Sequence, residues 1–234
     1  EHSFPTRRSS DLLRLMTMQT FTIPIQSYLK RRQLFSQHMQ TGIAIIPTAP
    51  ERIRNRDAHY PYRCDSYFYY LSGFSEPEAV LVIVAKTDKV PEKHILFCRA
   101  KDKEREIWDG YRYGPEAAKE AFNFDETYPV TQLDEILPTL LADQPVIYTA
   151  LGHDSSWDQR IIGWMNQVRD QIRTGVTAPE KITDCRVILD EMRLIKEAHE
   201  QDVMRRASAI SAHAHIRAMQ TSARMLRAGQ DVRE

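Results

Sequence analysis

The sequence predicts an α/β fold, a mixed sheet flanked by helices, and two observations carry that prediction. Short apolar runs, each too short for a helix, alternate with amphipathic stretches up to roughly residue 173, the pattern of strands covered on both faces by helices. The early strands also follow one another closely enough to pair antiparallel, so a mixed sheet is expected rather than an all-parallel one.

The first element is an amphipathic helix. From Ile25 through Tyr28, Leu29, Phe35 and Met39 apolar residues recur at spacings of three and four, Thr22 is available as a cap, Pro24 is tolerable in a first turn, and the pattern stops near Gly42. Gly42–Pro47 (GIAIIP) is almost wholly apolar, closed by proline and suited to a strand buried on both faces. Ser66–Gly73 (SYFYYLSG), Ala79–Ala85 (AVLVIVA) and His94–Cys98 (HILFC) read as strands on aromatic and β-branched content. Helices are expected over Pro115–Phe122, Gln132–Leu141 and Ser155–Val168, the last with Trp157, Ile161, Trp164 and Val168 on one stripe. A strand at Val146–Tyr148 separates the second and third of these.

Thr174–Pro179 (TGVTAP) combines turn formers with a residue held extended before proline, and beyond it the pattern is almost purely helical, so a domain boundary is placed there. Val203, Ala207, Ile210, Ala214 and Ala218 mark one face of a long helix from about His199 to Arg224. Such a stripe needs something to pack on; with ten residues following Arg224, the chain is expected to be truncated. At the other end, Glu1–Leu12 (EHSFPTRRSSDL) has no apolar periodicity and no signal-peptide core. It resembles a translated sequencing-adapter read, with natural sequence expected to start after Leu12, at Met16 or Met18. The expected organisation is a non-native or disordered leader over 1–20, a domain over 21–176, and a linker with the first helices of a second domain over 177–234.

Composition excludes several function classes. Lysine plus arginine number 32, as do aspartate plus glutamate, so no net field draws the chain to nucleic acid or anionic lipid. No apolar run approaches the ~20 residues of a membrane span. Cys64, Cys98 and Cys185 are odd in number and widely spaced, which fits reduced cytosolic thiols rather than a disulfide framework or a zinc site. His213 and His215, two apart on a helix, point to different faces and are read as non-ligands. Ser9 and Ser10 sit in no nucleophile elbow, and Walker-type and dinucleotide glycine patterns are missing.

Three stretches together carry a family resemblance. The first is His59 to Pro77 (HYPYRCDSYFYYLSGFSEP), followed by the Ala79–Ala85 run; the second is Glu106-Ile-Trp-Asp-Gly110 with Tyr113-Gly114; the third is Glu191-Met-Arg-Leu-Ile-Lys196 leading through Glu200 to Arg205-Arg-Ala207. From about Phe21 to Ala218 the chain resembles the amino-terminal domain and linker helix of aminopeptidase P. Cys64 departs from the glutamine usual after the arginine, and Glu197-Ala-His199 departs from the usual small-residue, proline, acidic run.

The resemblance implies a creatinase/aminopeptidase P-type, ribonuclease H-like amino-terminal domain, followed by the first helix of a pita-bread catalytic domain. It implies a cytoplasmic, homo-oligomeric (dimeric or tetrameric) enzyme that releases the residue before proline from peptides with proline second. Two Mn2+ ions per subunit, held by two aspartates, one histidine and two glutamates, would activate a bridging water. All five ligands are expected beyond Glu234, so this chain by itself is expected to carry no catalytic residue, bind no metal and hydrolyse nothing. Proline makes the scissile amide tertiary and removes its N–H, so a selective site must fit the ring.

What the resemblance leaves to this chain is substrate access. Trp108 matches a tryptophan that projects toward a neighbouring subunit's active site; on its residues alone the favoured reading is a tryptophan folded back onto its own domain, and the resemblance reverses that preference. Arg173 matches an arginine reaching toward the active-site mouth, and an exposed boundary arginine is the alternative. Asp57 matches an acidic loop residue able to pair with Arg173 or Arg63. Tyr60, Tyr62, Arg63 and the aromatics through Tyr70 read as structural. Two other readings stay open: a prolidase-type dipeptidase sharing the two-domain plan, and a non-catalytic binding or oligomerisation module.

Overall fold

The structure, a computed structural model, describes residues 23–87 and 90–229, apart from the Asp109 side chain. The expected leader and Thr22 lie outside the described residues. Pro24–Ile195 forms one compact unit, and the helix that follows belongs to another.

Helix α1 (Ile25–Met39) opens the first unit and leads into β1 (Ile43–Pro47). A small exposed hairpin follows, β2 (Ile53–Asn55) with β3 (Ala58–His59), then helix α2 (Ser66–Ser72), β4 (Val80–Val84) and β5 (Lys93–Cys98). A single helical turn, α3 (Glu106–Asp109), precedes α4 (Gly114–Phe122), β6 (Glu126–Pro129) and α5 (Leu133–Leu141). Strand β7 (Val146–Thr149), helix α6 (Ser155–Arg169), strand β8 (Lys181–Asp184) and helix α7 (Arg186–Leu194) complete the unit.

The sheet runs β6-β5-β4-β1-β7-β8. Only β4 opposes the others: β1 and β5 pair with it antiparallel, while β6 joins β5, β7 joins β1 and β8 joins β7 in parallel. This is the mixed sheet that the sequence predicts. Side chains alternate across it with the period of two that a pleated strand imposes. Ala44, Ile46, Leu81, Ile83 and Leu96 meet α1, α2, α4 and α7 on one face. Ile43, Ile45, Val80, Val82, Ile95 and Phe97 meet α5 and α6 on the other. With helices on both faces, the central strands read as unbroken apolar runs.

Two expectations are corrected. Ser66–Gly73 is not a strand but helix α2. Its aromatics favour strands locally, yet the ends decide: Asp65 Oδ1 accepts hydrogen bonds from the Tyr67 and Phe68 amides at 2.8 and 2.9 Å, capping the first turn. At the other end Gly73 turns left-handed (φ 69°), where a Cβ would meet the Tyr28 ring at 2.6 Å. The chain after Thr174–Pro179 is not purely helical either, because β8 extends the sheet at its edge.

In the second unit, helix α8 (Ala198–Arg227) starts with a reciprocal capping box between Glu197 and Glu200 and has no buried residue. Val203 and Ile210, on the stripe read from the sequence, are 40% and 61% exposed.

Candidate functional site

The candidate site is the connection from β5 to α4. Asp102 Oδ1 accepts from the Glu104 and Arg105 amides at 3.1 Å, which turns the chain into α3. Gly110, at φ 82°, ends that turn by donating its amide to the Glu106 carbonyl at 3.1 Å. Between these stops Ile107 is 78%, Trp108 85% and, just beyond, Tyr111 63% exposed. Leaving this much indole in water forgoes roughly 4 kcal/mol of burial. An apolar cluster so presented on a polar loop is the signature of a contact surface.

Below the tip the connection is tied together. Lys101 Nζ donates to Glu106 Oε1 at 2.6 Å and to the Arg112 carbonyl at 2.7 Å, and it lies 3.9 Å from the Tyr111 ring centre. The same Glu106 oxygen accepts the Arg112 amide at 2.8 Å. The Lys101 ammonium, with that amide, holds the Glu106 carboxyl below the usual carboxylate range. One layer deeper the Tyr113 amide donates to Glu76 Oε1 at 2.8 Å, and Glu76 sits 3.7 Å from Arg99, both nearly buried. Gly114 is needed where the limbs close: its φ is 71°, and a Cβ there would lie 3.1 Å from the Lys101 amide nitrogen.

The three residues expected at the site fall on three separate segments. Trp108 stands on α3, after the carboxyl end of β5. Asp57 occupies the two-residue turn of the β2–β3 hairpin, beyond the carboxyl end of β1, which runs in the same direction as β5. Arg173 lies in the 3-10 turn Ile172–Thr174, in the connection entering β8 at its amino end, the opposite edge of the sheet. All three are exposed. Among the described residues, no ion pair joins Asp57 to Arg63 or Arg173. Glu106 and Ile107 entered the sequence reading only as part of the family motif, and Lys101 and Tyr111 not at all, because a single turn has no periodicity to mark which residues face outward.

Two hollows lie at the carboxyl edge. Beside the loop, a depression of about 520 Å³ is lined by Arg99, Lys101 and Arg112 but also by Glu78, Asp102 and Glu104, so it presents no single sign of charge. Beyond β1, β7 and β8 a cleft of about 210 Å³ takes in Thr48, Asp65, Asp154 and Arg186. Three of its charged groups are already committed, since Asp65 and Asp154 cap α2 and α6 and Arg186 pairs with Asp184 at 2.6 Å; Arg52 lines it as well.

A metal centre does not fit these residues. Among the described residues no group of three or more His, Cys, Asp or Glu side chains could hold an ion. His213 and His215 belong to no such group, and His215 Nδ1 lies 2.8 Å from the Ser211 carbonyl oxygen. No described helix is long and apolar enough to cross a membrane. Cys98 and Cys185 are buried, which pushes both thiols up to about 12.

The profile of the family described as "Aminopeptidase P, N-terminal domain" matches residues 28–148. The Xaa-Pro aminopeptidase of Escherichia coli (strain K12) is 40% identical over 196 residues, covering 83% of this chain and 44% of that protein. The Haemophilus influenzae Xaa-Pro aminopeptidase is 35% identical over 201 residues, covering 86% and 44%. The Pseudomonas aeruginosa aminopeptidase PepP structure superposes with a TM-score of 0.80 at 41% identity, covering 85% of this chain and 45% of that one. A zinc-substituted E. coli aminopeptidase P in complex with product gives 0.80 at 39% identity, covering 84% and 45%. The chain therefore spans less than half the length of the relatives it matches.

Proposed function

The chain belongs to the aminopeptidase P amino-terminal domain family, and from that premise we propose that it is the access-shaping half of an enzyme releasing the residue before proline from peptides. In this reading the domain catalyses nothing itself. Trp108, with Asp57 and Arg173, forms part of the wall past which a peptide reaches the active site, and Trp108 does so on a neighbouring copy within a homo-oligomer. The enzyme would act in the cytoplasm and depend on a pair of manganese ions. In this reading the ions' ligands lie in other parts of the enzyme, as the family resemblance implies.

The observation that carries this reading is the 85% exposure of Trp108 on a loop whose base is fixed. An indole left in water on a mobile tail would be a solvated side chain; one held in place is a surface waiting for a partner. The relatives' name, Xaa-Pro aminopeptidase, supports the substrate class.

The test compares this chain with the same chain extended by the coding sequence that follows Glu234, on a peptide with proline second, with and without Mn2+. The extended protein is expected to release the first residue only with metal, and the 234-residue chain to release none. Hydrolysis by the shorter chain, or none by the longer, would overturn the reading.

A further inference from the structure

We propose that Lys101 and Glu106 are positioning residues, a clamp that fixes the direction in which Trp108 is presented; the functional weight of this inference rests on the reading of Trp108 given above. The α3 turn cannot hold itself. A single helical turn is the unfavourable nucleus of a helix, with too few hydrogen bonds to repay the ordering of its residues. The connection from Arg99 to Tyr113 otherwise has loop character and ends in an exposed apolar tip.

Lys101 and Glu106 supply what the turn lacks, because together they join all three parts of the connection. Lys101 stands on the ascending limb, Glu106 is the first residue of α3, and Arg112 stands on the descending limb. Lys101 Nζ, with three donors, serves the Glu106 carboxylate at 2.6 Å and the Arg112 carbonyl at 2.7 Å. Glu106 Oε1 returns to the descending limb by accepting the Arg112 amide at 2.8 Å. Tyr111 packs under the ammonium at 3.9 Å and edge-on against Tyr113, so the cation also sets the ring next to the tip.

The pair is poorly placed to serve global stability. Its side chains are 41% and 19% exposed, and ion pairs open to solvent contribute little to folding. Its effect is local: it removes conformations of the loop in which Trp108 points elsewhere, which is preorganisation for a partner. Removing the clamp should therefore loosen Trp108 without lowering the thermal midpoint of the sheet.

The test is nitrogen-15 relaxation on the 234-residue chain, with backbone amides assigned by triple-resonance experiments and the Trp108 indole signal identified by its loss in Trp108→Leu. The Trp108 backbone amide is expected to show an order parameter of about 0.85, falling below about 0.6 in both Lys101→Met and Glu106→Gln. Lys101→Arg, which keeps the charge and several donors, should restore most of the rigidity. Lys103→Met, which removes a neighbouring loop charge outside the clamp, should change nothing.

An unchanged Trp108 order parameter in both clamp variants would overturn the proposal, as would an equal fall in Lys103→Met or a fall spread over the sheet amides. The readout is independent of what Trp108 does. If the clamp variants loosen the loop while Trp108→Leu leaves peptide turnover unchanged in the extended enzyme, the positioning role stands and the functional reading fails. If the clamp variants stay rigid while Trp108→Leu impairs turnover, the positioning role fails and the functional reading stands.

Discussion

Arg32 should be among the costliest residues to replace in the sheet domain. It is fully buried on α1, and its guanidinium reaches two other helices: Nη1 donates to the Leu71 carbonyl at 3.1 Å, and Nη2 to the Phe122 and Asn123 carbonyls at 3.1 and 2.7 Å. These oxygens lie at the carboxyl ends of α2 and α4, where helices leave acceptors unpaired and carry partial negative charge. The Phe124 ring lies 4.5 Å from the guanidinium carbon. Burial opposes the cation and lowers its pKa well below the ordinary guanidinium value, to about 10, which corresponds to roughly 3 kcal/mol. Three hydrogen bonds from a charged donor return about 1.5–3 kcal/mol each, so the sum is favourable.

Arg32→Met relieves the desolvation but strands one buried and two part-buried carbonyls, and a loss of about 3 kcal/mol is expected. At about 2–4 °C per kcal/mol for a domain of this size, the thermal midpoint should fall by around 10 °C. Urea unfolding, followed by the fluorescence of buried Trp164, measures the free energy directly; the slope with denaturant should stay constant. Arg54→Ala, an exposed hairpin change, serves as the control and should stay within about 0.5 kcal/mol. A loss below about 1 kcal/mol for Arg32→Met would refute the reasoning, because the carbonyls would then have found other partners.

Asp65→Ala removes both cap hydrogen bonds of α2 and should cost about 1 kcal/mol by urea unfolding; no measurable change would mean that the cap does not define the helix. His94, buried in β5 with Glu92 2.7 Å and Asp125 3.8 Å from its ring nitrogens, has its pKa lowered to about 4 by burial and by Arg32, with Asp125 pulling the other way. Since the unfolded chain takes the proton first, near 6.5, the neutral histidine's contribution is complete above pH 6.5 and is lost as pH falls toward 4, by up to about 3 kcal/mol. His94→Gln should flatten the stability profile between about pH 6.5 and 4.5, and an unaltered slope would contradict this assignment. With a thiol-specific dye, half-buried Cys64 should react well before buried Cys98 and Cys185, and Cys64→Ser should remove the fast phase; equal rates for all thiols would count against the packing described.

Much of this fold was legible where the sequence signal is strong. Apolar runs such as Ala79–Ala85 are long enough to exclude loops and too short for helices, and the stripe of Ile161, Trp164 and Val168 has helical period and is buried as expected. Strand β8 was missed because Lys181–Asp184 is short, polar and alternately exposed, and its strand character comes from pairing with β7. Strand β6 was missed for a similar reason: Glu126–Pro129 is half-buried at the other edge. In α2 the aromatic run outweighed two end signals, Asp65 and Gly73, that were present in the sequence. At the site, Trp108 stood out as an indole in a polar stretch, whereas the clamp beneath it depends on how Lys101, Glu106 and Arg112 come together, a closure that spacing along the chain does not reveal.

The central claim is that this domain shapes access to a proline-directed active site through Trp108. In the extended enzyme, kcat/KM should be compared for a short and a longer peptide with proline second, before and after Trp108→Leu. Loss of one apolar wall contact predicts a fall of roughly tenfold for the longer peptide, equivalent to ~1.4 kcal/mol. Unchanged kcat/KM for the longer peptide would contradict the account.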